Sequence, residues 1–318
     1  MPMEPTAVGS NQTLVTEFVL VSFTKDPQLR AALFVIFLCT YTLTLMGNLG
    51  LMVLIFLNSC LHTPMYFFVG NLSFLDTWYS SVYMPRILVD CISKSNVISY
   101  AGCAAQFFFS AGLAHTECFL LAAMAYDRYV AICNPLLYSS VMTRKLCSQL
   151  VAGSYVAGFI NTIVHTGNTF RLHFCGDNTI DHFFCDVPPL MKMACDNTQV
   201  YEFILTAAVG FSVVATTALI LGSYTGIVAA ILRIRSATGR HKTFSTCSAH
   251  LISVLLYYGS LLFMYLQPRS LHTPDRDKVT AVFCTVVNPL VNPLIYSLRN
   301  KDVKEAFRTT LRRILAPK

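Results

Sequence analysis

Apolar residues run along this chain in long blocks rather than in the short alternations of a fold that meets water. A bilayer core needs about 20 predominantly apolar residues per helix, and seven segments supply them. Segment 31–57 carries no charge, and 61–85 has Asp76 as its one acidic residue. Segment 101–126 holds His115 and Glu117, 146–167 holds His165, and 243–266 holds His250. Segments 203–232 and 279–298 contain no Lys, Arg, Asp or Glu. The fourth and fifth are diluted by Gly, Ser and Thr, which suit close helix packing in lipid. The pattern predicts an all-α membrane protein, a seven-transmembrane helix bundle over 31–298. Residues 1–30 precede it. After it, Val303, Ala306, Phe307, Leu311 and Ile314 alternate with basic residues, which predicts a short amphipathic helix and tail over 299–318.

Composition agrees. The chain of 318 residues is 54% hydrophobic and 12% charged, about half the charge of a soluble domain, with a mean hydropathy of +0.56. The net charge of +7 does not signal nucleic acid, because the basic residues lie in short clusters between apolar runs. Those clusters set the orientation. Arg144 and Lys145, then Arg233, Arg235, Arg240 and Lys242, then Arg299 to Arg313 all fall on one side, expected to be cytoplasmic. Asp177, Asp181, Asp186 and Asp196 fall on the other. Asn11-Gln12-Thr13, a glycosylation sequon, fits an N-terminus outside; Asn71-Leu72-Ser73 also matches but lies within the second span. Residues 1–30 lack a basic stretch followed by an apolar one, so the first span is expected to act as an uncleaved signal.

Four strings are more specific than hydropathy: Leu61-His62-Thr63-Pro64-Met65-Tyr66-Phe67-Phe68, Met124-Ala125-Tyr126-Asp127-Arg128-Tyr129-Val130-Ala131-Ile132-Cys133, Lys242-Thr243-Phe244-Ser245-Thr246-Cys247, and Asn292-Pro293-Leu294-Ile295-Tyr296. In this order and on these spans the chain resembles the olfactory receptors of the rhodopsin-like G-protein-coupled class, over about 18–307. It departs from them at Tyr155, where Trp is usual, and at Val287-Asn288-Pro289-Leu290, where Thr-Pro-Met is more usual.

The resemblance implies roles. Asp127, Arg128 and Tyr129 would form the G-protein switch, with Arg128 paired to Asp127 at rest and released on activation; on a lone helix the same residues would read as a snorkelling end. Span six offers Arg240, His241 and Lys242 and no acidic partner, so rest is expected to be held through Tyr224, His250 and Tyr296, with Asn292 and Pro293 in span seven. Asn48, Asp76, Asn288 and Asn292 would form a polar centre, either binding sodium through Asp76, Glu117 and Asn292 or held by helix–helix hydrogen bonds alone. Cys103 is expected to pair with Cys185, and Cys175 with Cys195, among twelve cysteines that form no C-x-x-C motif. A metal cluster at His173, Cys175, Asp181, His182, Cys185 and Asp186 is the competing reading of that loop.

Phe107, Ser110, Ala111, Ala114 and His115 share one helical face, as do Tyr258, Leu261, Leu262 and Tyr265. Such stripes are more often packing than pocket. Family placement favours a ligand pocket, completed by Ser212, Val282 and Thr285, that is mostly apolar and suits a small neutral molecule. No carboxylate lies on the Phe107–Ala114 face, which disfavours an amine. The expected partners are a volatile odorant, membrane lipid and a stimulatory or olfactory heterotrimeric G protein; no cofactor is expected beyond a structural sodium ion. The alternative is a rhodopsin-like receptor for a non-odorant lipid, metabolite or peptide. Enzyme motifs such as H-E-x-x-H, G-x-S-x-G or a P-loop are missing. Segment 279–298 has no lysine for retinal, and the halves show none of the self-similarity of a transporter.

Overall fold

The computed structural model describes residues 15–24, 26–93, 95–175, 177–265 and 274–315. The sequon at Asn11 and the side chain of Tyr265 lie outside the described residues. Helix α1 spans Pro27–Leu57, started by Asp26, whose carboxylate accepts the Gln28 N–H at 2.8 Å, and by Pro27 at a position that needs no N–H. After a 3-10 turn at Ser59–Leu61, α2 spans Pro64–Ile92. Helix α3 covers Tyr100–Cys133, capped by Ser99, and the short α4 covers Tyr138–Val141. Helix α5 covers Arg144–Thr169, capped by Thr143 on the Leu146 N–H. A short α6 at Val187–Lys192 precedes α7 at Gln199–Arg233 and α8 at Ala237–Tyr265. Span seven is composite: α9 at Pro274–Val282, a π-helical turn at Phe283–Val287 and α10 at Asn288–Arg299. Helix α11, Lys301–Leu315, follows one residue later.

The helices overrun the apolar segments because a helix's hydrogen-bond ladder does not stop where the lipid does. Span seven is interrupted for a local reason. Pro289 and Pro293 have no N–H to give, and the Asn288 N–H reaches back five residues to the Phe283 carbonyl, the spacing of a π-bulge. Five described helices can cross a membrane by length and composition: α1, α3, α5, α7 and Lys278–Ser297. The two arms of α8, bent by 47°, make a sixth. Helix α2 lies outside that group, diluted by Asp76, Arg86 and Asp90, yet its 29 residues pack along both α1 and α3.

Helix α3 is the axis of the bundle and touches α2, α5, α7 and α8. It meets α5 closely because both supply glycine at the crossing. A Cβ on Gly158 would lie 2.4 Å from Thr116 Oγ1 and 2.8 Å from the Gly112 carbonyl oxygen. Apolar side chains fill much of the bundle and also cover its outside: Leu113 and Leu120 are fully buried, whereas Phe56, Phe203 and Phe211 are at least 73% exposed. In water such a surface would aggregate; in lipid it is solvated.

The end that carries the disulfides has a roof the apolar blocks did not announce. Strand β1, Glu17–Leu20, runs antiparallel to β2, Val97–Ser99, and parallel to β3, Thr179–Ile180. Its alternation sends Phe18 and Leu20 inward, where they pack with Ile180, Leu190 and the Cys103–Cys185 disulfide. Cys175 joins Cys195 in the same loop.

Candidate functional site

At the far end of α3 from the disulfides, Asp127 and Arg128 are both buried, and the guanidinium is ion-paired with the carboxylate, its Nε donating to Asp127 Oδ2 at 3.0 Å. The second carboxylate oxygen accepts the Tyr138 hydroxyl at 2.8 Å. Tyr138 escaped the sequence reading. Its signal is weak: one aromatic residue shortly after Pro135, on a helix of a single turn. Tyr129 lies against α7, where Gly226 leaves room; a Cβ there would be 2.6 Å from the ring.

One step deeper, Tyr224 of α7 meets His250 of α8 at 2.8 Å, and His250 Nε2 lies 3.1 Å from the Leu121 carbonyl of α3. A carbonyl only accepts, so Nε2 carries the proton and Nδ1 accepts from the tyrosine. One histidine thus joins three helices. Tyr296 is buried beside Ser253 of α8.

The polar centre connects α1, α2, α3 and α10. Asn292 donates to Asp76 Oδ2 at 3.0 Å. Asn48 donates to the Pro289 carbonyl at 2.9 Å, and Asn288 to Ser260 at 3.3 Å. Glu117 is buried on α3, within electrostatic reach of Asp76. Asp76 Oδ1, Asn48 Oδ1 and Asn288 Oδ1 are buried without a hydrogen-bond partner. A hard cation takes such oxygens, so the donor set fits sodium.

Nearer the disulfides, Phe107, Ser110, His115, Ser212, Tyr258 and Thr285 are buried, while Ala111, Ala114, Leu261 and Val282 are partly so. Leu262 does not belong with them. It is 49% exposed and faces out of the bundle, because it follows Leu261 by one residue, about 100° around the helix, and Leu261 takes the inward place. Tyr258 donates to Thr216 Oγ1 of α7 at 2.8 Å. Its unpredicted neighbour Tyr257 donates to the Ala114 carbonyl of α3 at 2.6 Å. Gln106, also unpredicted, accepts the Cys185 N–H at 3.0 Å and ties the roof to α3.

The metal reading of the loop fails on chemistry. Cys175 and Cys185 are spent in disulfides, and among the described residues no group of three or more His, Cys, Asp or Glu could hold a metal ion. His173 pairs instead with Asp196; its backbone N–H first, then its ring, holds that carboxyl below the usual range. Lys278 pairs with Asp181 at 2.9 Å.

A bundle turning on a central α3, with a buried acid–arginine pair at one end and a disulfide-pinned roof at the other, defines a rhodopsin-like receptor. The solved structure of squid rhodopsin has the same fold, with a TM-score of 0.70 at 19% identity, covering 91% of this chain and 82% of that one. The sequence model of the olfactory receptor family matches residues 37–315. Olfactory receptor 9G4 of Homo sapiens is 64% identical over 94% of this chain and 91% of its own length. Olfactory receptor 9G19 of Mus musculus is 58% identical over 96% of this chain and 100% of its own length. The chain belongs to the olfactory receptor family. It is an odorant receptor coupled to G proteins, a multi-pass protein of the plasma membrane, and not an enzyme.

Proposed function

We propose that a small, mostly hydrophobic volatile molecule binds between α3, α7, α8 and span seven, on the disulfide side, and that its binding activates a stimulatory or olfactory G protein and raises cyclic AMP. The observation that carries this reading is a series of inter-helix contacts spaced along α3. Tyr257 and Tyr258 of α8 join α3 and α7 around the ligand region; one to two turns further on, His250 joins the same three helices; below it lies Arg128. A ligand that favours a different arrangement of α7 and α8 changes contacts shared with the switch, and only such differential affinity moves the population. Release of Arg128 from Asp127 then frees it for the G protein.

The basic loops and the tail face the cytoplasm in this reading, which puts the N-terminus, its sequon at Asn11 and the acidic loop outside. Asp76, Glu117 and Asn292 of the polar centre would hold a sodium ion, which would neutralise carboxylate charge within the bundle. The test of the switch is cyclic AMP in cells expressing the parent and Arg128→Ala, challenged with a broad volatile panel. A response in the parent that vanishes in a variant still present at the surface is the expected result. An unaltered response in Arg128→Ala would remove Arg128 from the mechanism.

A further inference from the structure

Two histidines buried between α3 and α5 are left without the partners that buried imidazoles need. His115 is 9% exposed and His165 2%. His115 Nδ1 lies 2.7 Å from the Ala111 carbonyl, so that nitrogen carries the proton and Nε2 keeps a lone pair. Among the described residues nothing meets that lone pair, and neither ring nitrogen of His165 has a hydrogen-bond partner. The two rings lie 6.4 Å apart between centroids and within 23° of parallel. A neutral His165 brings one N–H and one lone pair, so the pair presents an acceptor on α3 and a donor on α5. They do not bond to each other.

We propose that this pair is the subsite for the hydroxyl group of the ligand, and that the receptor therefore responds to alcohols and phenols above other volatiles. The inference rests on the pocket proposed above and extends it to α5. A hydroxyl is the small neutral group that satisfies both sides at once: its oxygen accepts from the His165 N–H and its proton goes to His115 Nε2. One oxygen with two hydrogen bonds of about 2.8–3.0 Å has the reach to join rings at this separation. A ketone, ester or methyl ether accepts only, which leaves the His115 lone pair buried and unmet. An alkane satisfies neither.

The surroundings sharpen the choice. Several hydroxyl protons on α3, α5 and α7 are already given to carbonyls of their own helices: Ser110 to Phe107, Thr116 to Gly112, Thr162 to Gly158, Thr169 to His165 and Ser212 to Ala208, whereas the Thr166 hydroxyl, next to His165 in sequence, has no partner. The paired groups bring no free proton to a ligand, and the imidazoles do the discriminating. Segments 101–126 and 146–167 contain no Lys or Arg, so an anionic ligand would find no counter-charge from either helix. Glu117 is two residues from His115, about 200° around α3, on the side of the polar centre.

The test uses full-length receptor in cells, with cyclic AMP read against concentration and normalised to surface level. The ligands are matched volatiles on shared carbon skeletons: the alcohol, its methyl ether, the corresponding ketone and the alkane. The parent is expected to respond to alcohols at concentrations at least about tenfold lower than to the matched ether or ketone. His115→Phe and His165→Phe are expected to erase that preference, while His165→Gln, which keeps a donor and an acceptor, retains it. Equal potency of alcohol, ether and ketone in the parent overturns the subsite and leaves the pocket standing, as does an alcohol preference that survives both Phe variants. A parent that reaches the surface and answers no volatile of any class overturns the pocket itself, and the subsite with it. The comparison within the parent decides even where a variant fails to reach the surface.

Discussion

At the scale of single residues, the receptor rests on a few buried polar atoms and the partners the fold brings to them. Asp127 is held from two directions, by Arg128 beside it and by the Tyr138 hydroxyl. Tyr138 is only partly buried, so its bond falls near the lower end of the roughly 1.5–3 kcal/mol typical for a charged partner. Tyr138→Phe removes that bond and little else. Ligand-free cyclic AMP, corrected for surface level, is expected to rise severalfold, because the carboxylate then holds the arginine alone. An unchanged baseline would show that Tyr138 does not restrain the pair. Tyr138 and His165 were illegible in the sequence for the same reason. A single polar residue shows what it is, but its value depends on a face and a neighbour that only the folded chain supplies.

Among the elements, the crossing of α3 and α5 is the least forgiving contact. Gly158 sits where any side chain strikes Thr116 and the Gly112 backbone, whereas Gly153, on the same helix, has nothing within 4 Å of an added Cβ. The two alanine substitutions should therefore part ways. Gly158→Ala is expected to cost about 1–3 kcal/mol of stability through overpacking. Gly153→Ala is expected to be neutral or slightly stabilising, since alanine is the better helix former. Thermal unfolding of both variants in detergent measures the difference, and equal midpoints would mean that the close approach carries no weight. The helices themselves were plain in the sequence, because twenty apolar residues in a row have few other uses. Their interruptions were not: the π-turn before Pro289 and the bend in α8 arise from backbone hydrogen bonding that hydropathy does not register.

For the whole molecule, the polar centre is where α1, α2, α3 and α10 converge, and its three unmet oxygens make it sensitive to what occupies it. If a sodium ion sits there, replacing external sodium with a bulky organic cation should shift the concentration of ligand giving half-maximal response. Asp76→Asn should abolish the shift. A response indifferent to sodium in the parent would assign the centre to helix–helix hydrogen bonding alone. The strings around Arg128, Asn292 and Tyr296 made this layout legible in outline. The ligand region was legible only as two stripes, one of which included Leu262, whose outward facing depends on how far α8 is turned in the bundle.

The roof also has a history in time. Glu17 is made well before the Asn178 amide that grips its carbonyl, 161 residues further along the chain, and Cys103 waits 82 residues for Cys185. At roughly 5–20 residues per second of synthesis, β1 spends on the order of ten seconds with Phe18 and Leu20 exposed and its edges open. Through that interval the nascent chain displays a sticky strand to the folding machinery of its compartment, however well its helices have already inserted. The roof therefore waits on a partner made much later, and a sequence change there is expected to lower the amount of receptor at the surface without touching a ligand or a G protein.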